Sequence, residues 1–304
     1  MSVMKVAVIG IGAIGGVVGA HLASKYDDIN FIARGKTLDA IKQNGIKAIR
    51  KNDTLCAKPA SATDKPKELG VVDVLIICTK GYGLKTDVKE CESIIDENTV
   101  ILPLLNGINI SDDIKKINSK GVAADGAIYV FANIKEPAVI SINADMLKIV
   151  AGIKGSEENK KLKELITMLN ESGITAVYSN DIAVPLWEKY IMMCGNSCAF
   201  SYFDSPAGEI QPYSEKMKYV SGVYGELADL ARKSGAEVDE NIAEKYTNTF
   251  LALPKETITS LYRDIKTGSS QTEFDSIIGK AFSISKSLKA DTPCINAVYH
   301  KYRG

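Results

Sequence analysis

Lys5-Val6-Ala7-Val8-Ile9-Gly10-Ile11-Gly12-Ala13-Ile14-Gly15 is the stretch on which the fold of this chain turns. A short apolar run leads into Gly-x-Gly-x-x-Gly, and a helical pattern follows, which is the strand, turn and helix context that a dinucleotide-binding turn requires. Each glycine has a physical task there. Gly10 makes the tight turn, Gly12 lets backbone approach a pyrophosphate, and Gly15 lets helix and strand pack closely. Ile11, Ala13 and Ile14 complete the loop, and the N–H groups at the start of the helix supply an anion site. The turn is therefore expected to bind a nucleotide rather than serve as a purely structural corner.

Outward from this turn, short β-branched runs alternate with helical patterns, the signature of a parallel sheet wrapped by crossover helices. Strands are expected at 5–9, 29–33, 72–79 and 99–105, with a helix at 12–26. The run Val71-Val-Asp-Val-Leu-Ile-Ile-Cys-Thr79 is nearly all apolar, as a strand buried on both faces should be. Runs at 126–134, 138–142 and 146–153 follow one another without helical spacers and predict antiparallel strands that extend the sheet. A helix at 157–172 and a strand at 174–178 close this half. Beyond Asp181 the pattern becomes helical, with segments expected at 182–203, 214–234, 240–251, 260–266 and 273–288. Pro185 suits the first turn of its helix, where its missing N–H costs nothing. The expected architecture is α/β: a Rossmann-type doubly wound domain over 1–180 and an all-helical domain over 181–304.

The size of the chain agrees, since 304 residues at about 150 per domain give two domains. With 37 basic and 37 acidic residues there is no net field to draw nucleic acid or an anionic membrane, so a small-molecule partner is expected. No run approaches the roughly 18 to 20 apolar residues of a membrane span, and the N-terminus lacks the pattern of a secretory signal; the reading is cytoplasmic. Cys56, Cys78, Cys91, Cys194, Cys198 and Cys294 are scattered, so free thiols are expected. Cys194 and Cys198 would share a helix face, and two packed core thiols are favoured over a metal site because neither histidine is near.

The end of the second strand bears on the cofactor. An acidic side chain there would bond a ribose 2′-hydroxyl, whereas a cation suits a 2′-phosphate. This chain has Ala33-Arg34-Gly35-Lys36, which favours NADPH; the alternative is an exposed basic loop. Two more strand ends carry polar residues where ligands collect in open α/β sheets, Thr79-Lys80 and Asn106-Gly107, although both are also common turn chemistry. In the helical half, Lys189 has Pro185, Leu186, Met192 and Met193 three or four positions away and so sits on an apolar face. Either its stem covers apolar surface while the amine reaches water, or the ammonium is a proton donor whose pKa is lowered by burial.

The pieces Gly10-Ile11-Gly12-Ala13-Ile14-Gly15, Ala33-Arg34-Gly35, Thr79-Lys80, Leu105-Asn106-Gly107, Trp187-Glu188-Lys189 and Thr272-Glu273-Phe274-Asp275, in this order, resemble the ketopantoate (2-dehydropantoate) 2-reductase family across essentially the full length. The resemblance implies that Arg34 binds the NADPH 2′-phosphate and that Lys80 and Asn106 line the cofactor and substrate cleft. It further implies that Lys189 is the general acid, that Glu273 is its acidic partner near the substrate hydroxyl, and that Ser260 touches the substrate carboxylate. The implied reaction is reduction of ketopantoate to pantoate in pantothenate and coenzyme A biosynthesis: the nicotinamide hydride reaches the keto carbon while Lys189 protonates the developing alkoxide. The pattern departs where the family commonly has asparagine four and eight residues after the lysine, because this chain has Met193 and Ser197. Asn196, seven positions on, shares the face of Lys189, and Ser197 can donate one hydrogen bond; both are candidate substrate contacts. The alternatives are a reductase of another 2-keto acid and a non-catalytic NADPH sensor. A homodimer, common among similar enzymes, is an analogy only.

Overall fold

In the computed structural model, which describes residues 4–51, 53–143, 146–155 and 158–304, the chain divides into two compact units. One comprises Met1–Leu105 and Asn109–Ile182, the other Asn106–Ile108 and Ala183–Gly304. The expected start of a helix at Glu157 and the reading of the first three residues lie outside the described residues.

The first unit is built on a sheet that, among the described residues, has the strands β1 (Val6–Ile9), β2 (Ile29–Ile32), β5 (Ser61–Thr63), β6 (Val74–Ile77), β7 (Val100–Pro103) and β8 (Val122–Ala123). Their order is β5-β2-β1-β6-β7-β8, and every pairing is parallel. The chain runs outward from β1 to one side and then crosses to the other, the doubly wound arrangement that leaves a crevice at the carboxyl ends of the central strands. The two-residue period of the strands feeds two cores. Val6, Val8, Val74, Ile76, Val100 and Leu102 enter one apolar cluster, while Ala7, Ile9, Leu75, Ile77 and Ile101 enter another on the opposite face. Each of the larger side chains is buried, and each such burial contributes about 1.5–3 kcal/mol.

The helix α1 (Ala13–Ala23) carries no polar stripe: Gly15, Gly16, Val17, Val18, Gly19, Ala20 and Leu22 are all buried. A helix apolar all round must be covered on more than one side. On one side Gly19 meets the ring of Phe31 on β2, and on another Gly16 meets Ile140. Ile140 belongs to a second sheet, ordered β10-β11-β3-β4, made of β3 (Ile46–Arg50), β4 (Asp53–Ala57), β10 (Ala132–Glu136) and β11 (Val139–Ile142). A third, β13-β12-β9, comprises β9 (Asp125–Tyr129), β12 (Lys148–Gly152) and β13 (Thr175–Tyr178). The expectation that the later strands extend the main sheet is thus corrected. They leave it, because the outer side of α1 needs an apolar cover that Ile46, Ala48, Ile140 and Ile142 provide. The run expected at 126–134 is two strands in different sheets. The helices α2 (Gly35–Asn44), α3 (Leu84–Glu90), α4 (Ile110–Ile117) and α5 (Lys160–Glu171) complete the unit.

The second unit is helical: α6 (Ala183–Phe203), α7 (Ser214–Lys233), α8 (Ile242–Leu251), α9 (Ser260–Lys266), α10 (Lys280–Ser287) and α11 (Pro293–Arg303). The segment expected as one helix over 273–288 starts with a π-helical turn, Asp275–Gly279, before α10. The helix α11 is an addition to the expected set. Its cap comes from far along the chain: both oxygens of Glu226 on α7 accept from the Cys294 and Ile295 amides at 2.7 and 2.9 Å. The local start pattern Thr292-Pro293 is present, but the Thr292 hydroxyl makes no capping bond among the described residues. At the α6–α7 crossing Gly195 faces the Tyr224 ring, and a methyl group there would lie 2.2 Å from a ring carbon. Gly195→Ala is expected to destabilise the protein by on the order of 1–3 kcal/mol, read as a lowered thermal midpoint; an unchanged midpoint would remove close packing from this crossing.

Candidate functional site

The glycine turn follows β1 as the sequence pattern requires, and the three glycines differ in what confines them. Gly10 has φ +86°, and a Cβ there would sit 2.5 Å from Thr79 Cγ2 and 2.7 Å from the Thr79 amide. Gly15 would place a Cβ 2.2 Å from the Gly10 carbonyl oxygen, so the start of α1 lies directly against the turn. Gly12 is different: its nearest neighbour would be Ile134 Cδ1 at 3.9 Å, an ordinary contact. Nothing among the described residues requires glycine at position 12, whereas a ligand lying against the backbone would. Two further observations fit a nucleotide here. No acidic side chain occupies the first turn of α1 and no side chain caps it among the described residues, so its N–H groups are open to an anion. The hydroxyl of Thr79, beside Gly10, is buried without a hydrogen-bond partner among them.

The other strand exits carry the remaining candidates of the first half. Arg34 is the residue before α2, and its guanidinium is bonded to Glu90 and lies 3.8 Å from an oxygen of Asp87. Lys36, one residue into α2, lines a groove of ≈ 400 Å³ with Asp39, Lys47 and Glu136. Lys80 is exposed after β6. Asn106 is half-buried after β7, next to Gly107 at φ +133°, and groups with the helical unit. Just downstream, Lys154 donates to Asn109 Oδ1 and Asp112 Oδ2, both at 3.0 Å, and lies 3.9 Å from the buried Asp125, which accepts from Ser111. This network holds the start of α4, and no local motif announced it, because its members come from three separate segments.

In the helical unit, α6 turns one face inward. Leu186, Tyr190, Ile191, Cys194, Ser197 and Cys198 are buried, while Lys189, Met192, Met193 and Asn196 remain partly accessible. Lys189 and Asn196 therefore share a face, as their spacing of two turns dictates. Ser197 is fully buried, behind that face, and its hydroxyl has no partner among the described residues. Asn196 accepts a hydrogen bond from the Tyr224 hydroxyl at 2.7 Å, leaving its amide N–H groups as the open donors. Ser260 is exposed at the first position of α9, whose cap is the Thr259 hydroxyl.

Glu273 is 3% exposed and lies two residues before the π-turn. Burial disfavours the ammonium of Lys189, and the carboxylate of Glu273 opposes that effect; the outcome is a pKa lowered to about 8. The structure thus brings Lys189 and Glu273 together although 84 positions separate them in the chain (273 − 189). What holds them was not visible beforehand: Tyr190, the neighbour of Lys189, donates from its hydroxyl to the Ile277 carbonyl at 2.6 Å, tying α6 to the turn behind Glu273. An amine with a pKa near 8 is a proton donor matched to neutral pH.

Comparison with known proteins matches residues 6–154 to the family model described as ketopantoate reductase PanE/ApbA and residues 181–304 to the model of its C-terminal region. Among relatives, an uncharacterized oxidoreductase, YkpB, of Bacillus subtilis is 24% identical, over 97% of each chain. A 2-dehydropantoate 2-reductase of Pyrococcus horikoshii is 25% identical, over 95% of this chain and 93% of its own. Among solved structures, the 2-dehydropantoate 2-reductase of Porphyromonas gingivalis W83 superposes with a TM-score of 0.86 at 27% identity, over the whole of both chains.

The different confinement of the glycines predicts separable effects. Gly12→Ala should leave the thermal midpoint unchanged and weaken nucleotide binding, because only the approach to a ligand is filled. Gly10→Ala should lower stability itself, by upwards of about 1 kcal/mol for an alanine forced to positive φ. Calorimetric titration beside thermal melts checks both; unaltered binding in Gly12→Ala would take the backbone at residue 12 out of the site.

Proposed function

The chain belongs to the ketopantoate reductase PanE/ApbA family, oxidoreductases that act on CH–OH groups with a nicotinamide cofactor, and from that premise we propose that it is a cytoplasmic NADPH-dependent reductase of a 2-keto acid, ketopantoate first among them. The observation that carries the reading is the half-buried Lys189 amine, with its pKa at about 8, beside the buried carboxylate of Glu273. When bound, the dihydronicotinamide supplies the reducing equivalent to the keto carbon.

The chain's own groups do the rest in this proposal. The N–H groups of Gly12 to Gly15 hold the pyrophosphate, Arg34 binds the 2′-phosphate, and Lys80 and Asn106 complete the binding residues. Lys189 Nζ gives its proton to the substrate oxygen as negative charge develops there. Burial favours the neutral amine left behind, so the step relieves the desolvation of the ammonium. Glu273 keeps the proton on Lys189 until substrate is present. The amide of Asn196 and the hydroxyl of Ser260 are the candidate donors to the substrate carboxylate or hydroxyl.

A specific feature favours a second substrate within the same class. The accessible face beside Lys189 presents Met192 and Met193, and the carbonyl of Asn196 is already engaged by Tyr224. A face short of free polar partners selects weakly for a substrate hydroxyl and accepts apolar side chains. The experiment is NADPH oxidation with ketopantoate against 2-keto acids with branched or aromatic side chains. Turnover of ketopantoate above the rest supports the first reading; turnover only of the apolar acids replaces it by the second, and none on any acid overturns both.

Lys189→Ala should lower the reduction rate by about 10²–10⁴ while nucleotide binding persists, as measured by steady-state rates and calorimetry. The rate of reduction should fall as pH rises through about 8, where Lys189 loses its proton. Glu273→Gln should move that limb to lower pH, since the carboxylate is the influence that raises the pKa. Stability has the opposite sign. Between about 8 and the ordinary lysine value of 10.5 the unfolded chain holds a proton that the folded chain has lost, so this group makes stability increase with pH across that interval.

A further inference from the structure

In the main sheet β2 and β6 lie on either side of β1. The segments leaving their carboxyl ends therefore flank the glycine turn, where the crevice of a doubly wound sheet takes its ligand. Arg34 stands after β2. The helix α3, after β6, carries Asp87 and Glu90 three positions apart, on one face. The guanidinium of Arg34 is bonded to Glu90 and lies 3.8 Å from Asp87, so an ion pair runs from one exit to the other past the end of β1. The two acids differ in freedom. The Glu90 side chain is 41% exposed and can swing away, whereas that of Asp87 is 8% exposed and stays.

A phosphate at Arg34 would compete for N–H donors that a carboxylate already holds, and would add its own negative charge beside two others. A ribose 2′-hydroxyl makes no such demand. We infer that Glu90 is a cofactor-selecting residue: it competes with the 2′-phosphate of NADPH for Arg34, so that NADPH binds with the Arg34–Glu90 pair opened, while NADH binds with it closed. The inference rests on the reading of Arg34 as the phosphate ligand. Nothing in the sequence pattern of the strand end pointed to it, because Glu90 is 56 positions away from Arg34.

Because the pair is exposed and screened, its opening costs little, and the effect on affinity is a factor of about five rather than of thousands. The test is calorimetric titration of the full chain with adenosine 2′,5′-bisphosphate and with adenosine 5′-monophosphate, which reads binding without turnover. Glu90→Gln should tighten the bisphosphate about fivefold, leave the monophosphate unchanged, and leave the thermal midpoint where it was. The gain should vanish when Arg34→Ala is combined with it, since the competition acts through Arg34. Equal tightening of both ligands, no tightening, or a gain that survives loss of Arg34 would each overturn the inference. Arg34→Ala alone keeps the two failures apart. If it weakens the bisphosphate while Glu90→Gln changes nothing, only the role of Glu90 falls; if it leaves the bisphosphate unaffected, the phosphate-ligand reading falls and the inference with it.

Discussion

The first unit depends on how closely α1 can approach the end of β1. At Gly15 the helix backbone lies against the Gly10 carbonyl, so near that a methyl group would meet the oxygen at 2.2 Å. The same close approach continues along α1, where Gly16 accommodates Ile140 and Gly19 accommodates Phe31. A helix made this thin packs tightly on two sides, which explains why the chain builds a second sheet to cover it. It also fixes the direction of the first N–H groups of α1 toward the exits of the strands beside it. The geometry of the turn and the layering of the unit are thus consequences of one steric constraint.

The helical unit depends on a different balance. A lysine on an apolar helix face is tolerable only when its charge is offset or its proton is readily lost, and Lys189 shows both. Glu273 supplies the offset from the segment just ahead of a turn that departs from α-helical geometry. π-helical turns inside helices are frequent at functional sites, and here the Ile277 carbonyl is bonded by Tyr190. The buried tyrosine therefore links the helix that bears the lysine to the segment that bears the carboxylate.

Several features of the sequence were legible because their causes are local. The parallel strands announced themselves by near-continuous apolar runs, and the tight turn between β1 and α1 by glycines in the right context. The long helix beginning at Ala183 announced itself by period. The small sheets were misplaced because a strand pattern states its period but not its partners: Ile46–Arg50 pairs with Val139–Ile142, far along the chain. The helix Pro293–Arg303 was missed although Thr292-Pro293 is a local start signal; that its first amides are bonded by the distant Glu226 carboxylate was not readable.

The sequence by itself determined the family, the doubly wound half and the helical half, and it named the candidate site residues, since each rests on a motif or a period written within a few residues. Only the tertiary structure decided what those residues face. It set Glu273 beside Lys189, turned Ser197 inward, engaged Asn196 with Tyr224, and paired Arg34 with Glu90 and Asp87. The reason is physical: pKa values, pairing and exposure come from groups brought close in space, and no local period records which distant segment will supply them.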